Sequence, residues 1–325
     1  MTILVTGGAG YIGSHTVRLL RSLASDVVVL DSMEFGHREA IGDSELVVGN
    51  IRDRTLITEL CRTRDITQIV HFAAYKAVGE SMEQPGRYWL NNVAGTVDLV
   101  EAALAAGVRE VVFSSSCAVN GTPESLPVDE NSAIHPESVY AETKAVVERI
   151  LGWYGITNDL RAVSLRYFNA AGASDDASIG EDWSRAQNLV PLVMKATLGK
   201  RGPVEVFGVD YPTSDSTCIR DYIHVDDLAD AHVCALSYLG DGGKSTTLNL
   251  GTGVGTTVLE VIKSTERIAG REVPYTLSAR RKGDPVATYA DPSLAHATFG
   301  WSAKRTLDDI IESAWRWHST HPDGY

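Results

Sequence analysis

A glycine-rich turn near the start of the chain constrains the fold more than any other feature. Residues 2–6 have the apolar, β-branched texture of a buried strand, and residues 14–23 carry apolar side chains at helical spacing. Between them lie Gly7, Gly10 and Gly13. Gly7 suits a tight turn, Gly10 allows close approach to the backbone, and Gly13 lets the helix pack against the strand. This order predicts the first unit of a parallel α/β sheet.

Further strand-like runs continue through the first half of the chain. They are continuously apolar rather than alternating, which is typical of strands covered on both faces of a parallel sheet. Segments with helical spacing separate them, the longest at 88–106 and 138–153. This alternation predicts a doubly wound α/β fold, the Rossmann type, with right-handed crossovers. The strand-like runs are residues 27–30, 46–48, 69–72, 111–113 and 162–165.

The texture of the sequence changes after Asn169. Residues 170–176 are small and polar and predict a loop or linker. We therefore expect a doubly wound domain over 1–169 and a smaller C-terminal α/β domain for the substrate over 170–325, with segments near 220–250 returning to the first. The later elements are predicted as strands at 204–207, 222–225 and 248–250 and a helix near 307–318.

The charge balance excludes several classes of partner. The formal net charge is −13, and such an acidic surface repels nucleic acid and anionic membranes. No apolar run is long enough to span a bilayer, and the chain begins on a strand-like run rather than a signal peptide. The four cysteines lack metal-site spacing, which predicts reduced thiols and no metal. We expect a cytoplasmic protein.

The glycine turn also predicts a dinucleotide site. The helix that follows it, beginning around Tyr11 and Ile12, directs free N–H groups and its positive dipole end at phosphates. The second strand-like run ends at Asp31, where a carboxylate accepts hydrogen bonds from the adenosine ribose and repels a 2′-phosphate. No arginine directly follows Asp31, so the pattern favours NAD over NADP.

A second group of residues indicates catalysis. Tyr140 and Lys144 are four residues apart on a predicted helix and share a face. A nearby ammonium and a positively charged nicotinamide ring favour the phenolate of a tyrosine, which is otherwise a poor base at neutral pH. The strand-like run at 111–113 leads into three serines ending at Ser116, where doubly wound folds place catalytic groups. A serine there can relay a proton to the tyrosine.

These motifs resemble the extended short-chain dehydrogenase/reductase superfamily. Within it, the chain is similar nearly end to end to the UDP-glucose 4-epimerase family, also called UDP-galactose 4-epimerases. The segments that carry the resemblance are residues 7–15, 71–81, 91–93, 166–169, 207–213, 220–225, 249–251, 280–284 and 315–325.

The resemblance implies an isomerase that interconverts UDP-galactose and UDP-glucose. In the family, a tightly bound NAD⁺ takes a hydride from C4 of the sugar while the tyrosinate, here Tyr140, takes the hydroxyl proton. The 4-keto sugar then rotates, and the hydride returns to its opposite face, so that NAD is regenerated in each turnover. Ser116 would relay the proton and Lys144 would assist. The resemblance also implies a homodimer, formed by the helices at 88–106 and 140–150.

The ligand contacts are likewise implied by the resemblance. Arg220 and Arg281 could each fork onto the diphosphate, which explains how an acidic chain holds an anion. Beyond the glycine turn and Asp31, the cofactor contacts are Asn50, Ile51, Phe72, Ala73, Lys76, Asn91, Ser114, Tyr140, Lys144 and Tyr167. The substrate contacts are Lys76, Ser116, Tyr140, Asn169, Asn188, Leu189, Phe207, Arg220, Arg281, Asp284 and Thr288.

Three positions depart from the usual family pattern. Asn50 replaces an acid that contacts the adenine amino group, and its carbonyl can still accept that hydrogen bond. Asn120 replaces the tyrosine of a Val-Tyr-Gly motif, a change without an evident reason. Thr288 stands where some members carry a bulky tyrosine and others a small residue. The small version leaves room for a 2-acetamido group, so we expect some turnover of UDP-GlcNAc and UDP-GalNAc.

Other functions remain as alternatives. Nucleotide-sugar dehydratases and decarboxylases typically carry acids just after the strand-end hydroxyl, but Cys117 and Ala118 occupy those positions and cannot perform acid–base elimination. A 4-epimerase of a UDP-pentose or UDP-uronate stays open. A non-catalytic NAD-binding protein is disfavoured, because such relatives usually lose the tyrosine or the lysine.

Overall fold

The computed structural model describes residues 2–281 and 283–325. Lys282, which falls within the 280–284 motif, lies outside the described residues. The strands are β1 (Thr2–Thr6), β2 (Asp26–Asp31), β3 (Glu45–Val48), β4 (Ile66–His71), β5 (Glu110–Ser116), β6 (Arg161–Tyr167), β7 (Asn169–Ala171), β8 (Val204–Phe207), β9 (Ile219–Arg220), β10 (Tyr222–His224), β11 (Thr246–Leu250), β12 (Thr256–Thr257), β13 (Tyr275–Ser278) and β14 (Ala287–Thr288).

Helices follow most of these strands. The described α-helices are α1 (Tyr11–Ser22), α2 (Arg54–Thr63), α3 (Val78–Glu83), α4 (Pro85–Tyr88), α5 (Gly95–Ala105), α6 (Val139–Asn158), α7 (Leu189–Thr197), α8 (Val225–Gly240), α9 (Val258–Ala269), α10 (Ser293–Phe299) and α11 (Leu307–Thr320). A π-helical segment, Trp89–Ala94, connects α4 to α5. Short 3₁₀ turns cover Arg38–Ile41, Cys117–Asn120 and Trp183–Arg185.

A seven-stranded parallel sheet forms the centre of the fold, in the order β11-β6-β5-β4-β1-β2-β3. Successive residues along each strand point their side chains to opposite faces of the sheet. Val5 and Val29 pack in one apolar cluster with α1 and α8, whereas Leu4 and Leu30 pack in another with α2, α5 and α6. The predicted doubly wound fold with both sheet faces covered is confirmed.

The order of strands creates the position for a ligand. Strand β1 has β2 on one side and β4 on the other. The chain therefore adds strands first in one direction from β1 and then in the other. In doubly wound folds a crevice opens at the carboxyl ends of the strands at such a switch point. The glycine turn follows β1, and the Ser114–Ser116 run ends β5, so both belong to this edge of the sheet.

The second half of the chain forms smaller sheets and also extends the central one. Strand β11 adds to the central sheet beside β6, while β8 pairs with β13, and β9 lies between β12 and β14. Helices α7, α9 and α11 enclose a separate apolar cluster around Met194 and Ile311. The boundary at residue 169 stays a prediction. Among the described residues, each helix is too short or too polar to cross a bilayer.

Three expectations about local structure are wrong. Residues 170 and 171 are not loop, because they continue β7, which pairs in parallel with β10. Strand β10 ends at His224, and Val225 begins α8. The segment 88–106 is not one regular α-helix, because its wide π turn is fixed by Asn92, whose buried amide hydrogen-bonds to Tyr75 and Thr143.

Candidate active site

The glycine turn forms a close-packed cradle of bare backbone. Gly7 has φ +70°, and a Cβ there would lie 2.6 Å from the backbone nitrogen of Ala73. A Cβ on Gly13 would lie 2.3 Å from the carbonyl oxygen of Gly7. Gly10 is the N-cap of α1 and offers no side-chain hydrogen bond to the helix. The first amides of α1, including those of Tyr11 and Ile12, therefore face the turn without a side-chain cap, an arrangement that fits a pyrophosphate.

Asp31 stands at the end of β2 beside this cradle. Its side chain is buried, and it accepts hydrogen bonds from the amides of Ala9 at 3.0 Å and Met33 at 2.9 Å. The turn thus fixes the orientation of the carboxylate, which leaves further lone pairs for ribose hydroxyls. A carboxylate in this position opposes a 2′-phosphate. The residues present fit an unphosphorylated adenosine, as in NAD.

The two residues expected beside the adenine have different environments. Asn50 is exposed, and its side-chain oxygen accepts a hydrogen bond from the amide of Arg52 at 3.0 Å. Ile51 is buried and packs below Gly95, where an added Cβ would lie 2.7 Å from the Ile51 side chain. The carbonyl of Asn50 is therefore partly engaged by its own turn, and it retains one lone pair for an adenine amino group.

Phe72 and Ala73 directly follow β4 at the same edge of the sheet. Their amides donate to the carbonyl oxygen of Thr6 at 2.9 and 3.1 Å, which holds this segment against the glycine turn. The Phe72 ring packs on His232, with ring centroids 4.6 Å apart. Both predicted cofactor contacts are thus part of the cradle wall.

The catalytic candidates come together where β5 meets the start of α6. Ser138 caps α6 by accepting a hydrogen bond from Ala141, so the helix begins one residue before Tyr140. The backbone amide of Tyr140 donates to the Ser81 hydroxyl at 3.1 Å. One turn later, the ammonium of Lys144 donates to the carbonyl oxygen of Ser114 at 2.7 Å. The helix is therefore fixed to the strand that carries Ser116.

Burial shifts the pKa of both titratable members of this group. It raises the pKa of Tyr140 to about 12, and the neighbouring hydroxyl of Ser116 opposes that rise. It lowers the pKa of Lys144 to about 7, and the carboxylate of Glu148 opposes that fall. At neutral pH these residues alone hold Tyr140 as a phenol. A phenolate therefore requires further positive charge at the site.

Two more predicted cofactor contacts lie on the neighbouring strands. Ser114 and Tyr167 share a hydrogen bond between their hydroxyl groups. Burial raises the pKa of Tyr167 above its ordinary value, so this phenol stays protonated. Strands β5 and β6 pair Ser116 with Tyr167, and Asn169 follows two residues later. The group of catalytic candidates therefore adjoins the segment that leads to the expected substrate residues.

A cavity of about 260 Å³ collects the residues expected to bind UDP. The guanidinium carbon of Arg281 lies 3.8 Å from the centre of the Phe207 ring, a cation–π contact. Arg220 forms an ion pair with Asp284. The cavity is lined by all seven residues of the expected UDP site, Asn169, Asn188, Leu189, Phe207, Arg220, Arg281 and Asp284.

The cavity also has lining residues that the sequence did not single out. Arg201 adds a third guanidinium, and Tyr222 adds an aromatic ring. Between Arg220 and Tyr222, the fully buried carboxylate of Asp221 accepts hydrogen bonds from the amides of Thr252, Gly253 and Ala290. Tyr222 could have been found from its place in the 220–225 motif, whereas no signal marks Arg201.

Other predicted residues lie apart from this cavity. Lys76 and Thr288 do not line it. The ammonium of Lys76 pairs with Glu181 at 3.3 Å, and Thr288 lies on β14 beside Arg220 of β9. Asn91 donates to the side chain of Asn92 at 3.0 Å. Asn92 itself was missed, although its buried amide joins the segment after β4 to α6, as described above.

The segment 172–182 crosses from the second half of the chain to the cofactor cradle. The Tyr11 hydroxyl donates to the carbonyl oxygen of Gly172 at 2.6 Å. His37 contacts Asp182 at 3.1 Å, and its ring stacks on Tyr325 with centroids 4.4 Å apart. Together with the Lys76–Glu181 pair, these contacts close one side of the cradle.

Comparison with known proteins agrees with this geometry. The sequence model of the NAD dependent epimerase/dehydratase family matches residues 3–251. The chain belongs to this family. It is 43% identical to the UDP-glucose 4-epimerase of Lactobacillus helveticus over 327 residues, which covers 100% of this chain and 99% of the relative.

Solved structures of family members show the same fold. The UDP-glucose 4-epimerase of Stenotrophomonas maltophila, with bound NAD and formylated UDP-arabinopyranose, matches with a TM-score of 0.96 and 41% identity over 99% of each chain. The Bifidobacterium longum enzyme, in complex with NAD⁺ and UDP, matches with a TM-score of 0.94 and 37% identity over 100% of each chain. Membership in the family and the NAD cofactor are the outcomes expected from the sequence.

Proposed function

We propose that this protein is a UDP-glucose 4-epimerase, which interconverts UDP-galactose and UDP-glucose by inverting C4 of the sugar. The observation that carries the proposal is the single cavity lined by all seven expected UDP residues. Asn169 of this cavity follows β6, the strand that pairs with the end of β5 at Ser116. Sequence similarity to UDP-glucose 4-epimerases over nearly the full length of the chain supports the same reaction.

Tyr140 acts as the base that removes the proton of the 4-hydroxyl group. Ser116 stands beside Tyr140, where its hydroxyl favours the ionised phenol, and it relays the proton. The Lys144 ammonium lies 5.9 Å from the centre of the Tyr140 ring and stabilises a phenolate through space. The same three residues return the proton when the 4-keto sugar is reduced.

The cavity holds the nucleotide firmly and leaves the sugar loosely held. Arg220 and Arg281 offer forked donors to the diphosphate, and Phe207 offers a ring face beside them. Removing a diphosphate from such contacts costs more than turning an uncharged sugar about its glycosidic linkage. Inversion of C4 requires this difference, because the 4-keto sugar must present both faces in turn.

NAD⁺, when bound, accepts a hydride from C4 of the sugar and returns it. Gly7, Gly10 and Gly13 would hold its pyrophosphate at the start of α1, and Asp31 would hold its adenosine ribose. The carbonyl of Ser114 holds Lys144, which would contact the nicotinamide end of the cofactor. Since the cofactor ends each cycle unchanged, we expect it to stay bound through many turnovers.

Turnover without added NAD tests this proposal. UDP-galactose, UDP-GalNAc, UDP-xylose and UDP-glucuronate would be supplied in parallel, and products would be identified by NMR. We expect UDP-glucose from UDP-galactose. Epimerisation of only the pentose or the uronate would favour the alternative substrate class, and elimination products would favour a dehydratase.

Tyr140→Phe tests the assigned base. We expect a fall in turnover of about 10²- to 10⁴-fold with the nucleotide retained, because the phenol contributes proton transfer rather than binding. Tyr154→Phe is the matched control on the same helix, since the Tyr154 hydroxyl bonds to Glu101 away from the site. Full turnover by Tyr140→Phe contradicts the mechanism.

Thr288 extends the proposal to acetamido sugars. Its short side chain on β14 stands beside Arg220 in the register of β9, and Arg220 itself lines the UDP cavity. We propose that this leaves room for a 2-acetamido group, so that UDP-GlcNAc and UDP-GalNAc are also turned over. Thr288→Tyr should lower the ratio of acetamido to plain hexose turnover, and an unchanged ratio contradicts this reading.

We also propose a cytoplasmic homodimer. Trp89 and Leu90, before α5, are exposed, as are Trp153 and Ile156 on α6, with Ile156 exposed to 74%. Burial of these side chains in a four-helix contact between two copies would remove them from water. Light scattering should give the mass of two chains, and Trp153→Glu should shift it toward one. The free cysteines suit a reducing compartment, which cell fractionation would test.

A further inference from the structure

A buried ion pair lies one helical turn beyond Lys144. Glu148 of α6 accepts three hydrogen bonds from Arg166 of β6, at 2.9 and 3.2 Å from Nε and 2.6 Å from Nη2. The side chains of Arg166 and Glu148 are only 7% and 10% exposed. The Nη1 atom of Arg166 is also buried, and it has no hydrogen-bond partner among the described residues.

The same carboxylate also holds β5. The hydroxyl of Ser115 donates to Glu148 Oε1 at 2.5 Å. Ser115 lies between Ser114, whose carbonyl accepts a hydrogen bond from the Lys144 ammonium, and Ser116, whose side chain neighbours Tyr140. Glu148 therefore joins α6, β5 and β6 directly beneath the catalytic group.

We propose that Glu148, held by Arg166 and Ser115, is a positioning residue that keeps Lys144 charged and keeps Ser116 aligned with Tyr140. This inference rests on the proposed epimerase function. A buried ion pair with an unpaired donor is a poor way to stabilise a fold, because apolar residues of similar volume often do as well or better. Its position against the catalytic group supplies another reason for its presence.

The charges around Lys144 agree with this role. His71 of β4 faces Lys144, but burial and the Lys144 charge lower its pKa to about 3, so it is neutral. Tyr140 on the same helix is a phenol in the absence of further positive charge. The carboxylate of Glu148 favours the ammonium form of Lys144 against burial. Loss of that charge therefore lowers the pKa of Lys144 further.

The experiment compares Glu148→Gln with a paired variant on the holoenzyme. Glu148→Gln removes the carboxylate and leaves the Arg166 charge unpaired, whereas Glu148→Gln/Arg166→Met removes both charges together and keeps the test available if the single variant does not fold. In Glu148→Gln, loss of a Coulomb interaction across one helical turn at an effective dielectric of ~20 predicts that the alkaline limb of kcat moves down by about one pH unit or more. The paired variant also loses the positive charge of Arg166, which acts on Lys144 in the opposite sense, so its limb should move down by less. KM for the UDP-sugar should stay the same, because the cavity residues are unchanged.

Two control variants separate charge from geometry. Ser115→Ala removes one hydrogen bond and keeps the carboxylate, so kcat should fall while its alkaline limb stays in place. Glu148→Asp keeps the charge but shortens the side chain, so the alkaline limb should stay close to that of the unaltered protein. A purely structural clamp would instead change the melting temperature and kcat of these variants without moving the limb in any of them.

A readout independent of turnover completes the test. The pKa of Lys144 is followed by NMR of lysine labelled at Cε, with Lys144→Met for assignment, and it should fall in Glu148→Gln and, by less, in the paired variant. An unchanged Lys144 titration in both variants overturns the positioning role, even if turnover falls. If the unaltered protein epimerises none of the UDP-sugars, the proposed function fails instead, and the Lys144 titration still decides whether Glu148 controls its charge.

Discussion

Gly13→Ala offers a sharp test of the cofactor cradle. The new Cβ would lie 2.3 Å from the Gly7 carbonyl oxygen, whereas real Cβ contacts essentially never fall below 3.0 Å. Helix α1 and the turn must therefore separate by about 0.7 Å, and the obstacle is backbone, which cannot rotate away as a side chain can. Overpacking of this kind costs about 1–3 kcal/mol. The gain in helix propensity, about 1 kcal/mol, offsets only part of that cost.

The same displacement should weaken NAD binding. Binding sites hold their geometry within about 0.5 Å, and a hydrogen bond to a charged group contributes about 1.5–3 kcal/mol. Loss of one amide contact to the pyrophosphate therefore lowers the NAD affinity by about 10- to 100-fold. Nucleotide released on denaturation, measured per chain, should fall, and the melting temperature should fall with it.

Gly152→Ala is the matched control. Gly152 lies exposed within α6, and an added Cβ meets no atom within 4 Å. The same substitution should therefore stabilise the protein by about 0.5–1 kcal/mol and leave the NAD content unchanged. If Gly13→Ala and Gly152→Ala behave alike in both measurements, the close packing at Gly13 is not what shapes the cofactor site.

The remaining predictions concern the UDP cavity and acid stability. Phe207→Leu removes the ring under Arg281. Loss of a cation–π contact of about 0.5–2 kcal/mol should weaken UDP binding about 2- to 30-fold, as measured by calorimetry. An equal affinity would contradict the assignment of this cavity to UDP. Acid should unfold the protein as the pH falls from about 6.5 toward 4. In this range histidines bind protons in the unfolded chain but stay neutral when buried in the folded protein. Each such histidine therefore lowers the free energy of unfolding by up to ~1.4 kcal/mol per pH unit. Denaturant unfolding at several pH values should show this slope, and His71→Asn should reduce it. Burial lowers the pKa of His71, His224, His232 and His318 to about 3–4.

Much of the fold could be predicted because buried parallel strands leave a strong local signal. The continuous apolar runs became β1 to β6, and the strand–turn–helix order around Gly7 located the cradle. The short strand β7 left no such signal, because Asn169–Ala171 are small and become a strand only through pairing with β10. Propensity is weak where a distant partner decides the structure.

Site residues could be predicted where a short motif carries the chemistry. They could not be predicted where contacts between distant segments define the site. Ser116, Tyr140 and Lys144 could be singled out as candidates because their motif and spacing match a known reaction. In the sequence, Glu148 looks like an ordinary charged residue on a helix, and only the fold shows that Arg166 and Ser115 surround it. The π turn at Asn92 is also a tertiary effect, since its hydrogen bonds reach back to the segment after β4 and across to α6.

The contacts of the segment 172–182 have a consequence for how the protein assembles. The N-terminal cradle is complete only when this segment and Tyr325 have reached Tyr11 and His37. Contacts between residues so far apart in sequence form late in folding, because the chain must first lose the entropy of closing a long loop. A nascent chain therefore presents an open cradle first and a closed one last. The nucleotide is best captured before that closure, as the chain folds around it, and its release would require the last-formed contacts to open again.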